Sequence, residues 1–162
     1  MNAGPPIYVD ADACPVKAEV VKVAERHGLA VVFVANSWLQ VPRAQRVRVQ
    51  VVSGAFDAAD DWIAEQARRD DLVVTADIPL AARCVKLGAR VLGPSGKPFT
   101  DDNIGDALAT RELMADLRAS GVGGGPPPFG PRDRSRFLDA LELAVRAAKK
   151  SLESSGRGSA GP

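Results

Sequence analysis

The residues best suited to chemistry are aspartates that follow short apolar stretches. Asp10 and Asp12 come directly after apolar residues 7–9, and Asp77 follows apolar residues 72–74. A third group opens a predicted helix and consists of Asp57, Asp60 and Asp61. Carboxylates without nearby histidine or cysteine favour Mg²⁺ or Mn²⁺ over zinc. Such an ion would activate water and neutralise phosphate charge during displacement at phosphorus.

Most of these aspartates also have a competing structural explanation. Asp12, Asp57 and Asp77 stand where aspartate is favoured as a helix cap, and acids in a first turn complement the helix dipole. Asp10 has no such explanation, because it directly follows an apolar strand. We predict three catalytic residues, Asp10, Asp61 and Asp77. The predicted metal ligands are Asp10, Asp12, Asp57, Asp60, Asp61 and Asp77.

Basic and aromatic residues could bind an anionic substrate. The chain has 21 Lys and Arg residues against 20 Asp and Glu, so its overall charge identifies no partner. We predict nucleic-acid contacts from Arg132, Arg134, Ser135 and Arg136, with weaker candidates at Asn36 and Lys97. A solvated surface is the alternative for these residues. Trp38 either stacks on a base or packs against the protein.

Apolar strands alternating with helices must position these groups. The predicted strands comprise residues 7–9, 29–34, 46–52, 72–75 and 89–92. The predicted helices comprise residues 15–27, 57–69, 78–87, 100–119 and 132–153. This order indicates an α/β fold, a three-layer sandwich with a mainly parallel five-stranded sheet between helices. Ligands bind such sheets at the carboxyl ends of the strands, where the acids would meet.

The composition indicates one globular domain in a reducing compartment. We assign residues 1–153 to the domain, including a Gly/Pro-rich loop at 121–131 and a last helix at 132–153, and expect a disordered tail at 154–162. No secretory signal or membrane-length apolar run is recognisable, and two cysteines make no disulfide framework. We therefore expect a cytoplasmic protein. The apolar stripe of the last helix either packs on the sheet or forms a homodimer.

Several segments together resemble a known family. Residues 57–81, with the Thr75-Ala76-Asp77 sequence after a buried strand, resemble the second half of a PIN-like nuclease domain. Residues 9–15 (VDADACP), 124–129 (GGPPPF) and 133–137 (DRSRF) resemble the bacterial YaiI/YqxD family, a PIN-like group. The resemblance covers residues 7–143.

The resemblance implies a PIN-like fold and a metal-dependent ribonuclease activity, with Mg²⁺ or Mn²⁺ as cofactor and RNA as partner. Asp10 matches the first-strand acid of PIN domains, Asp61 the helix acid and Asp77 the acid after the next strand. PIN domains generally place a glutamate between the first two of these acids. This chain has no glutamate between residues 28 and 60, which implies a differently built metal site.

Two other functions fit the same residues. Residues 7–13 resemble the first motif of haloacid-dehalogenase-type phosphatases, which implies Asp10 as nucleophile and Asp12 as general acid. A non-catalytic protein that binds nucleic acid would keep the arginines and require no metal.

Overall fold

The computed structural model describes residues 4–54, 57–121 and 128–159, with side chains described as far as residue 154. The strands are β1 (Ile7–Asp10), β2 (Val31–Ala35), β3 (Val47–Val51), β4 (Leu72–Val74), β5 (Arg90–Leu92) and β6 (Pro98–Phe99). The helices are α1 (Lys17–His27), α2 (Ala58–Gln66), α3 (Ile78–Lys86), α4 (Ile104–Ala119) and α5 (Pro131–Ser159).

The six strands form one sheet in the order β3-β2-β1-β4-β5-β6. All neighbours are parallel except β5 and β6, which are antiparallel. The chain winds outward from β1 in one direction through β2 and β3, and in the other through β4 and β5. The crevice between β1 and β4 is thus a topological switch point, where open α/β sheets bind their ligands.

Alternation along the strands divides the apolar core between the two faces of the sheet. On β2, Val31 and Phe33 belong to one buried cluster and Val32 and Val34 to the other. The first cluster packs against α1 and α5, and the second against α2 and α3. Because side chains of a strand alternate between faces, a fully apolar β2 requires helices on both sides. The predicted three-layer α/β sandwich is confirmed.

The sixth strand corrects the prediction of five. Pro98 and Phe99 pair with Leu92 and Val91 in a stretch that the sequence indicates as a turn. Two residues are too few to show an alternating pattern, and Pro98 lacks an N–H for a ladder. Proline is tolerated on edge strands, which is where β6 lies.

The helices differ from prediction mainly at their ends. α1 begins at Lys17, two residues after Pro15, and ends at His27. The capping residue that follows, Gly28, has a left-handed conformation. α5 continues to Ser159, into the stretch predicted as a disordered tail; residues 160–162 lie outside the described part. Most of the predicted loop at 121–131 also lies outside it. Among the described residues, no helix combines the length and apolarity needed to cross a membrane.

One glycine is required for the contact between α5 and the turn after β5. Gly96 has a φ of 90°, and a Cβ atom there would lie 2.7 Å from the backbone carbonyl of Arg136. No other residue combines a positive φ with this close approach at low cost. Gly96 therefore fixes the start of α5 against the carboxyl edge of the sheet.

Candidate functional site

A small pocket opens at the switch point between β1 and β4. Its lining includes Asp10 at the end of β1, Asp12 and Cys14 from the following turn, Thr75 after β4 and Pro94 after β5. Strand pairing brings β1 and β4 side by side, with Val9 opposite Val74. The two apolar strands predicted to end in acids are therefore neighbours, and their ends meet at this pocket.

Thr75 joins the two strand ends. Its side chain is buried, and its hydroxyl donates a 2.9 Å hydrogen bond to the Asp10 carboxylate. The same hydroxyl oxygen accepts a 2.9 Å bond from the backbone N–H of Asp77. Thr75 thus positions Asp10 and fixes the backbone at Asp77. Thr75 was not among the predicted site residues, although a hydroxyl at the end of a fully apolar strand could have indicated a role at the site.

Asp10 is half-buried and lies among other negative charges. Burial is the main factor that raises its pKa, and the charges of Asp77 and Asp12 raise it further. The hydrogen bond from Thr75 opposes this by stabilising the carboxylate. Asp10 is therefore an anion held at some electrostatic cost, with one hydroxyl donor to offset it.

Asp60 is the helix acid that interacts most strongly with this group. Burial first, and then the charges of Asp77, Asp10 and Asp57, together raise the pKa of Asp60 to about 6. Arg83 lowers the pKa, but only as the smallest contribution. The first turn of α2 thus places the Asp60 carboxylate within the electrostatic field of both strand ends.

Asp61, the acid that the resemblance assigned to the site, is engaged elsewhere. Its carboxylate is exposed and forms a 2.8 Å salt bridge with Arg83 on α3. Adjacent residues on a helix point in directions about 100° apart, so the two acids cannot face the same point. Ile63 and Ala59 are the buried residues of α2, and Asp60 lies three residues before Ile63, on the inward side.

The capping explanation applies to only one of the three aspartates for which it was considered. Asp77 caps α3, because its carboxylate accepts a 3.0 Å bond from the N–H of Leu80. Asp57 stands at the N-cap position of α2, but its side chain makes no capping bond within the described chain. Asp12 lies outside α1 and instead accepts a 3.3 Å bond from the backbone N–H of Asn36. Asp12 is therefore available to the pocket.

The carboxylates fit a hard divalent cation in their chemistry but do not form a finished coordination site. Burial is the main cause of the raised pKa values of Asp10 and Asp60, and repulsion from neighbouring carboxylates, Asp77 among them, adds to it. A cation would relieve that repulsion. Among the described residues, however, no three His, Cys, Asp or Glu side chains stand close enough together to hold one ion as they are.

The arginines at the start of α5 lie near the same edge of the sheet. Arg134 donates a 2.7 Å bond to the carbonyl of Pro15 and pairs with Glu19, and its guanidinium lies 5.0 Å from the Phe129 ring centre. These contacts account for Arg134 as a structural link between α1 and α5. The other residues predicted to contact nucleic acid are all exposed: Arg132, Ser135, Arg136, Asn36 and Lys97.

Neither cysteine nor histidine chemistry fits the pocket. Cys14 is buried, and that burial raises the pKa of its thiol, so the reactive thiolate is disfavoured. His27, the only histidine, lies at the end of α1 and makes a 2.8 Å contact with Glu142 of α5. The chemistry available at the switch point is therefore that of carboxylates and one hydroxyl.

Comparisons with known proteins agree on one family. Residues 8–147 match the family model described as "Uncharacterized BCR, YaiI/YqxD family". A UPF0178 protein of Azorhizobium caulinodans is 60% identical, with 89% of this chain and 91% of the relative aligned. UPF0178 proteins of Nitrobacter winogradskyi and Brucella ovis are 57% and 60% identical, over 89% of this chain and 92% and 91% of their own lengths. No solved structure matched the chain.

Proposed function

The chain belongs to the YaiI/YqxD family, and on that premise we propose that it is a metal-dependent nuclease that hydrolyses phosphodiester bonds in RNA. The proposed site is the carboxyl edge of the sheet between β1 and β4. The proposed cofactor is Mg²⁺ or Mn²⁺, and the proposed location is the cytoplasm.

The observation that carries this proposal is the meeting of two strand ends at one pocket, where the Thr75 hydroxyl bonds both the Asp10 carboxylate and the backbone N–H of Asp77. Asp10 ends β1, Asp77 follows β4 and Asp60 lies in the first turn of α2. Each of the other two charges raises the pKa of Asp60, and Asp77 raises that of Asp10. Carboxylates at the carboxyl edge of a parallel sheet, where ligands bind, supply the oxygen donors that a hard divalent cation prefers.

The carboxylates of the site would bind the ion, and Thr75 would position one of them. Asp10, Asp60 and Asp77 would hold the ion, with Asp12 and Asp57 at its margin. Such an ion, when bound, neutralises phosphate charge and lowers the pKa of a coordinated water. Thr75 would hold Asp10 in place, since its hydroxyl already bonds that carboxylate.

Exposed arginines at the start of α5 would supply phosphate contacts. Arg132 and Arg136 are exposed, whereas Arg134 is engaged by Pro15 and Glu19. Because Arg134 anchors α5 to the start of α1, the two exposed arginines lie at the same end of the molecule as Asp10. A guanidinium suits phosphate oxygens through paired N–H donors.

Cleavage assays with and without metal test the proposal. We expect the purified protein with Mn²⁺ to cut RNA of mixed sequence, and Asp10→Asn or EDTA to abolish the cutting. Asp139→Asn is the matched control, because Asp139 is an exposed aspartate on α5 away from the pocket. A protein that leaves RNA and single-stranded DNA uncut with Mn²⁺, identically to Asp10→Asn, would refute a nuclease activity.

A phosphatase is the second candidate, and it is favoured by the position of two aspartates in the pocket. Asp12 and Asp10 line the same pocket, and Asp12 is free of any role at the start of α1. In that function Asp10 would attack phosphorus and Asp12 would protonate the leaving oxygen. Substitutions distinguish the two candidate functions, because a phosphatase would lose its activity without Asp12 and would keep it in Asp60→Asn. A fluoroberyllate adduct on Asp10 would also favour the phosphatase.

A non-catalytic nucleic-acid-binding protein is the remaining candidate. It would bind RNA in a salt-dependent manner, with no change on adding chelator and no cleavage by any variant.

A further inference from the structure

Trp38 has no packing role that explains it. Its side chain is 71% exposed, the most exposed of the large apolar side chains in the described chain. The other tryptophan, Trp62, is half-buried and packs edge-on against Tyr8 at 5.9 Å between ring centres. An exposed indole leaves a large, flat apolar face with a polar N–H open to contact with another molecule.

Trp38 lies in a groove along the edge strand β3. The groove is lined by Trp38, Val41, Pro42 and Arg43 from the β2–β3 connection, and by alternate valines of β3. No acidic residue is among its lining residues, all of which the structure describes. Arg43 is exposed and forms no salt bridge within the described part of the chain. The groove therefore combines one flat aromatic face with an unneutralised positive charge.

The groove is connected to the acid pocket by a short, anchored segment. Asn36 follows β2 directly, and its N–H is bonded to the Asp12 carboxylate. Trp38 is two residues further, so the Cα atoms of Asn36 and Trp38 are separated by at most about 8 Å. A chain lying in the groove would thus run toward the carboxyl edge of the sheet.

We propose that this groove binds single-stranded nucleic acid, with one base stacked on Trp38 and an adjacent phosphate held by Arg43. Any base offers a flat face to an indole, and the phosphodiester backbone is the anion that suits an acid-free groove. A duplex fits less well, because its bases are already stacked inside it. The proposal extends the proposed nuclease function, since it supplies the site that guides a strand toward the acids.

Binding is measured in EDTA, so that cleavage is not required. The probe is fluorescein-labelled oligouridine at low salt, followed by anisotropy. We expect Trp38→Ala to weaken binding about tenfold or more and Trp38→Phe to retain most of it, because phenylalanine keeps a stacking face. Arg43→Ala should lower the salt dependence by about one released ion, whereas Arg111→Ala, an exposed arginine of α4, should change nothing.

Tryptophan fluorescence gives a second readout that does not depend on affinity. The chain has two tryptophans, so Trp62→Phe leaves Trp38 as the sole indole. We expect oligouridine to quench the fluorescence of Trp62→Phe and to leave that of Trp38→Phe unchanged.

The groove proposal would be overturned by wild-type protein that does not bind oligouridine, by Trp38→Ala that binds it as wild type does, or by a duplex that competes equally with the single strand. Capture of a proline-rich peptide in place of RNA would identify a protein-binding groove instead. A protein that binds in a Trp38-dependent way but never cuts RNA would refute only the nuclease activity. One that cuts RNA with Trp38→Ala unimpaired would refute only the groove.

Discussion

Replacing Asp60 by asparagine should stabilise the metal-free protein at neutral pH. Burial and the charges of Asp77, Asp10 and Asp57 raise the pKa of Asp60 from 3.8 to about 6. That difference is equivalent to at most ~3 kcal/mol of unfavourable interaction for the charged form. The carboxylate is partly open to water, which screens the charges, so we expect about 1 kcal/mol. For a chain of this size, that is an increase of about 2–4 °C in melting temperature.

The stabilisation by Asp60→Asn, relative to wild type, should increase as the pH rises and should not decrease again. The pKa of Asp60 is higher in the folded protein than in the unfolded chain, so folding favours the protonated form. Wild type and Asp60→Asn should therefore be equally stable below pH ~4, where the carboxyl is protonated in both states. Wild type should lose stability relative to the variant as the pH rises from about 4 to about 6 and remain less stable above that.

Urea denaturation in EDTA at pH 4 and pH 7 measures this difference. The matched control is Asp61→Asn, which removes the adjacent acid and its exposed ion pair with Arg83. We expect the control to change stability by 1 kcal/mol or less, in the destabilising direction. The reasoning is refuted if Asp61→Asn is the stabilising variant, or if Asp60→Asn is equally stabilising at both pH values. Saturating Mn²⁺ should stabilise wild type more than Asp60→Asn, so that wild type becomes the more stable of the two proteins.

Two further substitutions test the framework of the site. Thr75→Val should destabilise by ~1–3 kcal/mol in urea, because the partly buried N–H of Asp77 loses its acceptor. Thr75→Ser should cost less than half as much, and equal effects would exclude the hydroxyl as the cause. Gly96→Ala should lower stability by ~2 kcal/mol or more, because its Cβ would meet the Arg136 carbonyl at a positive φ. Gly105→Ala, in the open first turn of α4, should be neutral or stabilising by thermal melting, and a similar loss at both glycines would contradict this.

Sequence patterns predicted the layers and the location of the acids because those features depend on local periodicity. Apolar strands at 7–9 and 72–74 required a buried parallel sheet, and parallel strands end at one edge. Whether Asp10 and Asp77 became neighbours depended on the strand order, which only long-range packing determines. The structure places β1 next to β4, so the ends of these two strands are neighbours.

Asp60 and Asp61 differ in their surroundings in the fold, and the sequence alone did not distinguish them. The three helix acids were treated as a group, and the family resemblance selected Asp61. The rotation of α2 about its axis is determined by Ala59 and Ile63, which are buried against the sheet. Spacing from Ile63 could have indicated Asp60, but only if Ile63 was known to be the residue that faces inward.

Some features carried no usable local signal. β6 is two residues long and contains a proline, so no pattern distinguishes it from a turn. None of the residues of α4, all of which are described, is buried, and its apolar residues Leu113 and Met114 are exposed. Periodicity indicates that an apolar face exists, but it does not show whether another element covers that face.

Cleavage of RNA by Asp60→Asn and Asp61→Asn, side by side with Mn²⁺, tests the central claim most directly. The two residues are adjacent in sequence, but the charges of Asp77 and Asp10 help to raise the pKa of Asp60, whereas Asp61 forms a salt bridge with Arg83. We predict that wild type and Asp61→Asn cut RNA at similar rates and that Asp60→Asn does not. Cleavage that persists in Asp60→Asn but is lost in Asp61→Asn, or an inactive wild type, would contradict the account.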